Sequence, residues 1–350
     1  MGDPTGLSPG DIRAARADAP KLRERDLAAQ LSISEAQLLA AHIGHGVRAI
    51  APSPDAVMPA AEHLGAVMGL TRNDHCVIEV DGPYRDYHPG NHAAMVLAPE
   101  IDLRIFPKRW VHGFAVEKET EAGPRRSLQV FDAAGDAVHK IFLRDHSAHD
   151  AWGAVVDGLS VDGDSGLQTE PRAPVEGVKI NPAKAEILRT EWAKLTDTHQ
   201  FLRLVSKLKM NRLGAYRLAG APFVRALAPA ALDAALVAIR DTGIEVMMFV
   251  GNHGCLQIHT GPIGKLQPMG PWQNVLDPGF NLHLRADRVA EVWAVSKPTS
   301  RGEALSIEAF DQDGGIILQI FGVAKEGRDS RPAWKTLVDA LPDHMPEGVH

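Results

Sequence analysis

The segment Thr196–Arg203, T-D-T-H-Q-F-L-R, carries the residue types best suited to metal chemistry. Asp197 is predicted to cap a helix, with Gln200 as its capping-box partner, which would place His199 in the first helical turn. The positive end of a helix disfavours imidazolium and keeps the ring neutral, as a metal ligand must be. Apolar residues at helical spacing surround it: Trp192, Leu195, Leu202 and Val205. The segment therefore predicts either a metal ligand or a buried, hydrogen-bonded histidine.

Basic side chains are the second set of residues that could form a functional site. Arg212, Lys209, Lys297 and Arg285 could surround an anionic ligand, and Arg104 lies within the strand-like segment E-I-D-L-R-I-F of the first half. Lysine and arginine are usually solvated surface residues, so each of these has that alternative interpretation as well.

Other catalytic patterns are weak. The sequence contains no H-E-x-x-H, C-x-x-C, Walker or G-x-G-x-x-G motif, and no serine in a nucleophile elbow. Cys255 and His259 share one face of a predicted strand beside His253, but no carboxylate completes a metal set. The strand and turn interpretation of this segment is favoured over a His/Cys metal site.

These residues lie within a duplicated chain. A shift of 179 residues, without a gap, gives 21 identical residues in the 70 positions from 73 to 142, including Cys76 on Cys255 and Phe142 on Phe321. Ordinary composition would give roughly one identity in fifteen positions. The match predicts two similar domains rather than a solenoid of short repeats.

Each half shows the same order of elements, helices first and strands later. In the first half, residues 8–44 are predicted to be mostly helical, with a cap region at Ser8-Pro9-Gly10-Asp11 and an N-cap at Ser34; a short strand follows at 47–50 and a helix at 55–64. Strands then occupy residues 76–143, with a turn at Asp81-Gly82-Pro83 and a hairpin at Asp132–Asp136, before a closing helix at 148–159. The second half is predicted to have helices from 183 to 240, strands from 245 to 321 and a last helix at 332–341.

The predicted fold class is therefore α+β: a tandem duplication of two similar halves, each with a large antiparallel β-sheet flanked by helices. The boundaries are residues 1–160 for the N-terminal repeat, 161–182 for a linker rich in Gly, Pro and acidic residues, and 183–350 for the C-terminal repeat. The first helix pair also resembles a helix-turn-helix, but no basic recognition helix follows it.

Composition excludes several classes of protein. The net charge of −7 argues against nucleic acid as the main partner, and two cysteines without a disulfide framework favour a reducing compartment. The first ten residues lack the charged and apolar regions of a signal peptide, and no apolar run approaches the length of a membrane span. These features predict a cytoplasmic protein.

Several motifs, in order, resemble the HemS/ChuS family of bacterial heme-utilisation proteins, also called hemin-degrading factors. They are V-M-G-L-T-R-N and E-I-D-L-R-I-F in the first half, then T-D-T-H-Q-F, G-N-H-G-C-L-Q-I-H-T-G, D-P-G-F-N-L-H-L-R and V-S-K-P-T in the second. The resemblance covers the chain from about Arg13 to Leu341. It implies one heme b, bound mainly by the second half.

The resemblance also implies roles for particular residues. His199 matches the family's axial iron ligand, Arg104 its distal-side arginine, and Arg212 and Lys297 its partners of the heme propionates, while Arg285 is a further candidate from charge. Where the family often has Tyr-Gly-x-Arg, this chain has Phe321 and Ala324, so a phenol and a guanidinium are missing.

Two functions follow from the family, and the sequence does not separate them. One is oxidative heme degradation that releases iron and requires an external electron donor. The other is a carrier that receives heme from an importer and delivers it to a separate heme oxygenase. A DNA-binding regulator built on the first helix pair is the third interpretation.

Overall fold

A computed structural model describes residues 6–121, 123–325 and 327–344. The chain divides into two compact units. Unit 1 comprises Met1–Arg72, Val77–Ala173 and Gly251–Gln257, and unit 2 comprises Asn73–Cys76, Pro174–Val250 and Ile258–His350. The predicted linker, residues 161–182, thus divides between the units. Residues 1–5 of the predicted N-terminal repeat and 345–350 of the C-terminal repeat lie outside the described residues.

Unit 1 begins with four helices and a short strand and continues as a sheet. The helices are α1 (Pro9–Asp18), α2 (Glu24–Gln30), α3 (Glu35–Ala40), α4 (Pro54–Glu62) and, at the end, α5 (Trp152–Leu159). The strands are β1 (Val47–Ala49), β2 (Ala66–Arg72), β3 (Cys76–Pro83), β4 (Tyr87–His88), β5 (Ala94–Leu97), β6 (Asp102–Ile105), β7 (His112–Lys118), β8 (Arg125–Phe131) and β9 (Ala137–Leu143). Six of them pair antiparallel in the order β1-β7-β8-β9-β2-β3, and β4-β5-β6 form a second antiparallel set.

Unit 2 repeats this plan. Its helices are α6 (Ala185–Trp192), α7 (Gln200–Lys207), α8 (Arg212–Ala219), α9 (Ala231–Thr242) and α10 (Arg331–Asp339). Its strands are β10 (Val224–Leu227), β11 (Val246–Gly251), β12 (Cys255–Gly261), β13 (Leu266–Met269), β14 (Trp272–Asp277), β15 (Phe280–Arg285), β16 (Glu291–Thr299), β17 (Gly302–Phe310), β18 (Ile316–Gly322), β19 (Ala324–Lys325) and β20 (Arg328–Asp329). The order β10-β16-β17-β18-β11-β12 matches that of unit 1. The predicted fold class is confirmed.

Local sequence signals account for several element ends. Ser8 and Ser34 each cap a helix, and in both cases the residue three positions on, Asp11 or Gln37, completes a capping box. Asp132 turns the β8–β9 hairpin by accepting the backbone N–H groups of Ala134 and Asp136. No helix in the described ranges is long and apolar enough to cross a bilayer.

Two predicted details are wrong. Residues 81–83 are not a turn but the end of β3, where a Cβ on Gly82 would lie 2.6 Å from Glu100 Cβ, so the glycine permits a close contact. Residues 224–227 form β10 within a region predicted to be helical, because they pair with Val292–Val295 as β1 pairs with β7. In both cases a tertiary contact decides the local structure.

A buried polar network lies in the core of unit 1. Tyr84 OH is 2.5 Å from His139 Nε2, His139 Nδ1 is 2.8 Å from Thr71 Oγ1, and Thr71 donates to Cys255 Sγ at 3.7 Å. A neutral imidazole that accepts from Tyr84 and donates to Thr71 satisfies all of these groups. Burial lowers the pKa of His139 to about 3, so the ring is neutral near pH 7. At the equivalent positions of unit 2 the residues are Ile263, Leu318, Val250 and Cys76, all buried.

We therefore predict that Tyr84→Phe lowers the free energy of unfolding by about 1–3 kcal/mol, because it leaves His139 Nε2 buried without a donor. The measurement is urea unfolding at neutral pH. Tyr87→Phe is the matched control, since that hydroxyl binds Asp55 in a part-exposed position where water can replace it. Equal losses in the two variants would contradict the role given to the buried network.

Candidate functional site

His199 lies immediately before α7 and is the N-cap residue of that helix. Asp197 Oδ1 accepts the backbone N–H of His199 at 2.7 Å and its ring Nδ1 at 2.6 Å. The predicted capping box is wrong, because the Gln200 side chain binds the backbone N–H of Thr196 at 3.0 Å instead. The His199 side chain is 88% exposed, so the buried-histidine alternative is also wrong.

The contact with Asp197 decides which nitrogen of His199 can act as a ligand. A carboxylate only accepts, so the imidazole nitrogen that faces it, Nδ1, carries a proton. In the neutral ring, Nε2 then holds the free lone pair. The backbone N–H of His199 and then its imidazole lower the pKa of the Asp197 carboxyl, which keeps it ionised at neutral pH.

The helix that follows His199 is fixed by an aromatic cluster. Phe201 is buried, with its ring centroid 4.5 Å from that of Trp192 and 5.6 Å from that of Tyr216. Leu202, three residues after His199 and therefore on the same helical face, is 50% exposed. A solvent-facing imidazole and an exposed apolar side chain thus lie next to each other on a well-anchored element.

A buried charged cluster holds two of the predicted cations together. Glu308 Oε1 is 2.8 Å from Lys297 Nζ, and Glu308 Oε2 is 2.8 Å from a guanidinium nitrogen of Arg212. The hydroxyls of Tyr216 and Ser306 donate to the same carboxylate at 2.9 Å each. Lys297 also donates to Tyr216 OH at 3.1 Å. Glu308 therefore accepts from four donors.

The electrostatics of this cluster are dominated by burial. Burial alone would raise the pKa of the Glu308 carboxyl, but Lys297 and Arg212 hold it well below its ordinary range. Burial is also the largest influence on Lys297 and lowers its pKa, while Glu308 acts in the opposite direction. The Lys297 side chain is 4% exposed and that of Arg212 is 23% exposed. Two cations and one carboxylate leave the cluster with one excess positive charge.

The equivalent place in unit 1 has the opposite polarity. There the helix residue is Glu35, which pairs with Lys140 on the sheet, whereas in unit 2 the helix residue is Arg212 and the sheet residue is Glu308. Gln129 stands where unit 2 has Glu308, and Lys118, the repeat partner of Lys297, is exposed. The ion pair of unit 1 is neutral as a whole. Among the residues that the structure describes, unit 2 alone combines the pair with an additional buried cation.

An apolar surface adjoins the charged cluster on the same face of the unit 2 sheet. Gln319 is paired with Glu308 on one side and with Phe249 on the other, and Phe321 is paired with Ser306 and Met247. Directly paired residues project to one face of a sheet. Phe249 and Phe321 are half-buried, with ring centroids 5.2 Å apart. This face therefore presents aromatic rings beside cations.

The remaining predicted residues lie elsewhere. Arg104, in β6 of unit 1, pairs with Asp102 and donates to the Leu103 carbonyl at 3.0 Å, and its side chain is 31% exposed. Arg285 forms a two-point pair with Asp287, with both N–O distances 2.7 Å, and lies over the Trp272 ring. The structure does not bring Arg285 into the Glu308 cluster.

Other predicted candidates are also separate from the cluster. Lys209 is exposed in the turn after α7. Ala324 is exposed in β19. The His259 ring stacks on that of Phe280, with a centroid distance of 3.6 Å, and Cys255 is buried in the unit 1 network. In the described ranges no group of three or more His, Cys, Asp or Glu could hold a metal ion.

Sequence reasoning missed Glu308 and Tyr216. A signal for Glu308 existed, since S-I-E-A-F in β17 places a carboxylate and a hydroxyl on one face of an otherwise apolar five-residue segment. Tyr216 offered no comparable signal, because the repeat has Leu39 at the equivalent position.

A protein-family model described as "Haemin-degrading HemS.ChuX domain" matches the chain twice, at residues 32–159 and 209–341. The two matches correspond to the two repeats. The chain belongs to this family of proteins, as the sequence motifs predicted.

Similarity to particular relatives extends over nearly the whole chain. It is 35% identical to "Hemin transport protein HmuS" of Yersinia pestis, over 93% of this chain and 95% of that protein. The structure of holo-PhuS, "a heme-binding protein from Pseudomonas aeruginosa", matches with a TM-score of 0.91 and 42% identity, over 97% of this chain and 100% of that one. The structure of ChuS, "an E. coli Heme Oxygenase", matches with a TM-score of 0.84 and 32% identity, over 93% and 98%.

The charged cluster leads to a prediction about stability and pH. Glu308→Gln leaves Lys297 and Arg212 without their counter-charge and should cost about 3–5 kcal/mol of unfolding free energy near pH 7. A carboxyl whose pKa is depressed on folding stabilises above its ordinary pKa, about 4.3, and loses that effect as pH falls through its folded pKa. The difference between wild type and variant should therefore shrink as pH falls below about 4.

Urea unfolding at several pH values measures this difference. Glu303→Gln is the matched control, because Glu303 lies on the same strand but is exposed. A constant difference between pH 7 and pH 3, or an equal loss in the Glu303 variant, would contradict the stabilising role of the Glu308 carboxylate.

Proposed function

We propose that this chain binds heme b through its second repeat, with His199 as the axial ligand of the iron and the Glu308 cluster as the site of the propionates. The observation that carries the proposal is His199 itself. Its ring is exposed, and its Nδ1 is engaged by Asp197, which makes Nε2 the nitrogen available to a ligand. Relatives described as hemin transport, heme-binding and heme oxygenase proteins support the choice of ligand.

The residues present fit the chemistry of heme. Heme is a large apolar ring with an iron centre and two carboxylates, so it needs an imidazole, apolar walls and cations. Unit 2 offers His199 beside exposed Leu202, and on its sheet the half-buried Phe249 and Phe321 beside a cluster with one excess positive charge. Arg212 is the more accessible cation of that cluster. Arg285 remains a proposed further cation. It would have to leave its ion pair with Asp287 in order to bind a propionate.

We propose further that the bound heme is degraded oxidatively in the cytoplasm to release iron. The heme supplies the redox chemistry when bound, and an external donor supplies electrons. Arg104 is the proposed distal-side residue on the basis of the family resemblance, and its half-buried guanidinium could donate hydrogen bonds to an oxygen ligand. The two free cysteines, Cys76 and Cys255, are consistent with a reducing compartment.

A carrier is the second candidate function. Two observations favour it: the high exposure of His199, and Phe321 and Ala324 at positions where the family often has a phenol and a guanidinium. Such a carrier would receive heme from an importer and pass it to a separate heme oxygenase. No observation on the described residues favours the DNA-binding alternative.

The axial-ligand assignment predicts that His199→Ala loses heme affinity and shifts the Soret band. The loss should exceed the roughly 10- to 100-fold that removal of a supporting hydrogen bond costs a metal site. Optical titration of the apoprotein with heme measures both quantities. His344→Ala is the control, since that histidine is exposed and in the same unit. Identical titrations of wild type and His199→Ala would overturn the assignment.

An optical time course of the heme-loaded protein, with an electron donor and catalase, tests the degradation proposal. Catalase removes free peroxide, which would bleach heme without help from the protein. We expect decay of the Soret band with released iron and a defined product, and slower or altered decay in Arg104→Ala at unchanged heme loading. A stable Soret band, followed by transfer of heme to an added acceptor, would instead establish the carrier.

A further inference from the structure

One oxygen of Asp197 accepts two hydrogen bonds from a single residue. The backbone N–H and ring Nδ1 of His199 lie 2.7 Å and 2.6 Å from Asp197 Oδ1. This arrangement closes a turn and fixes the imidazole relative to the backbone. The Gln200 side chain also binds the backbone N–H and the hydroxyl of Thr196, the residue before Asp197. The turn is therefore fixed on both sides.

We propose that Asp197 is a positioning residue: it holds His199 in the tautomer protonated on Nδ1, so that Nε2 is presented to a metal centre. The inference rests on the proposed function for the identity of that centre, the heme iron. The nitrogen that carries the proton of a histidine ligand is set by the hydrogen bond that the other nitrogen makes. A carboxylate on Nδ1 also makes the ring a stronger electron donor to the metal.

The duplication supports this assignment independently. With the helix pairs of the two repeats aligned by a shift of 177, Pro20 stands opposite Asp197 and Leu22 opposite His199. The first repeat therefore lacks both partners. The pair occurs only in the repeat whose buried cluster carries an excess positive charge, and a purely structural turn would not require an imidazole at that position.

Both members of the pair are open to solvent. Asp197 is 57% exposed and His199 88% exposed. Arg203, one helical turn further on, is the other charged side chain that acts on Asp197. Substitution of Asp197 should therefore leave the fold intact, because it removes no buried contact.

The first experiment uses the apoprotein, with nitrogen-15 labelled histidine and NMR at about pH 9, where histidine is neutral. His199 is assigned by its absence in His199→Ala. We expect the wild type to carry the proton on Nδ1. Asp197→Asn retains an acceptor and should keep this tautomer, whereas Asp197→Ala should lose it. A wild-type ring protonated on Nε2 would overturn the proposal without reference to heme.

The second experiment compares heme binding and the reduction potential of the loaded protein. Asp197→Ala should bind heme about 10-fold more weakly, the lower end of the effect of a lost partner on a metal ligand. Asp197→Asn should fall between it and the wild type. Both variants should have a higher iron reduction potential, because the ring donates less electron density. Asp339→Asn removes an exposed carboxylate of the same unit and is the control.

The outcomes separate the two proposals. If His199→Ala loses the heme spectrum while both Asp197 variants match the wild type, the proposed function stands and the positioning role is overturned. If His199→Ala binds heme as the wild type does, the axial-ligand assignment itself fails. A graded loss, from wild type through Asp197→Asn to Asp197→Ala, with the Asp339 control unchanged, supports both.

Discussion

The arrangement of unit 2 depends on one buried carboxylate. Glu308 is fully buried on β17 and would be costly there if it were unpaired. Lys297, Arg212, Tyr216 and Ser306 satisfy it from the neighbouring strand, from α8 and from its own strand. Because Arg212 and Tyr216 belong to α8, the same contacts fix that helix on the sheet. Tyr216 in turn packs on Phe201, the residue that anchors α7 directly after His199. The carboxylate thus links the sheet to the helix that begins directly after the candidate ligand.

Comparison of the repeats shows that two copies of one fold carry different charges at equivalent places. Both units join their third helix to the sheet by a buried or half-buried ion pair, but with opposite signs: Glu35 with Lys140, and Arg212 with Glu308. Either polarity satisfies the requirement that a buried charge be paired. Fold stability alone therefore does not determine whether the helix or the sheet supplies the cation of the pair. In unit 2 the reversed pair, together with Lys297, gives an excess positive charge, which the neutral pair of unit 1 does not provide.

Much of the fold could be predicted because its signals are local or periodic. Capping boxes at Ser8 and Ser34, strand alternation, the Asp132 hairpin and the 179-residue repeat each leave a pattern in the chain. The errors occurred where a distant contact decides the structure, as for Gly82 against Glu100 and for β10 against β16.

The site was predictable only in part. His199 was found from residue type and motif, but its exposure and its bond to Asp197 depend on a turn that competes with a capping box. Glu308 was missed because a sequence does not state which buried charges meet.

The burial of the cluster also determines which of its cations can act directly. Lys297 is almost fully enclosed, between Glu308 and the rings of Phe201 and Tyr216, whose centroids lie 5.0 and 5.4 Å from its Nζ. Exposing it to a ligand would cost the contacts that hold α7 and α8. Arg212 is the partly exposed member, and a guanidinium has five N–H donors, so it can retain Glu308 and still bind an external carboxylate. Lys297 then acts indirectly. Because it also pairs with Glu308, it weakens the attraction between that carboxylate and Arg212. In the proposed site, Arg212 would therefore be the direct partner of an anionic ligand, and Lys297 would supply the charge that makes the cluster attractive to it.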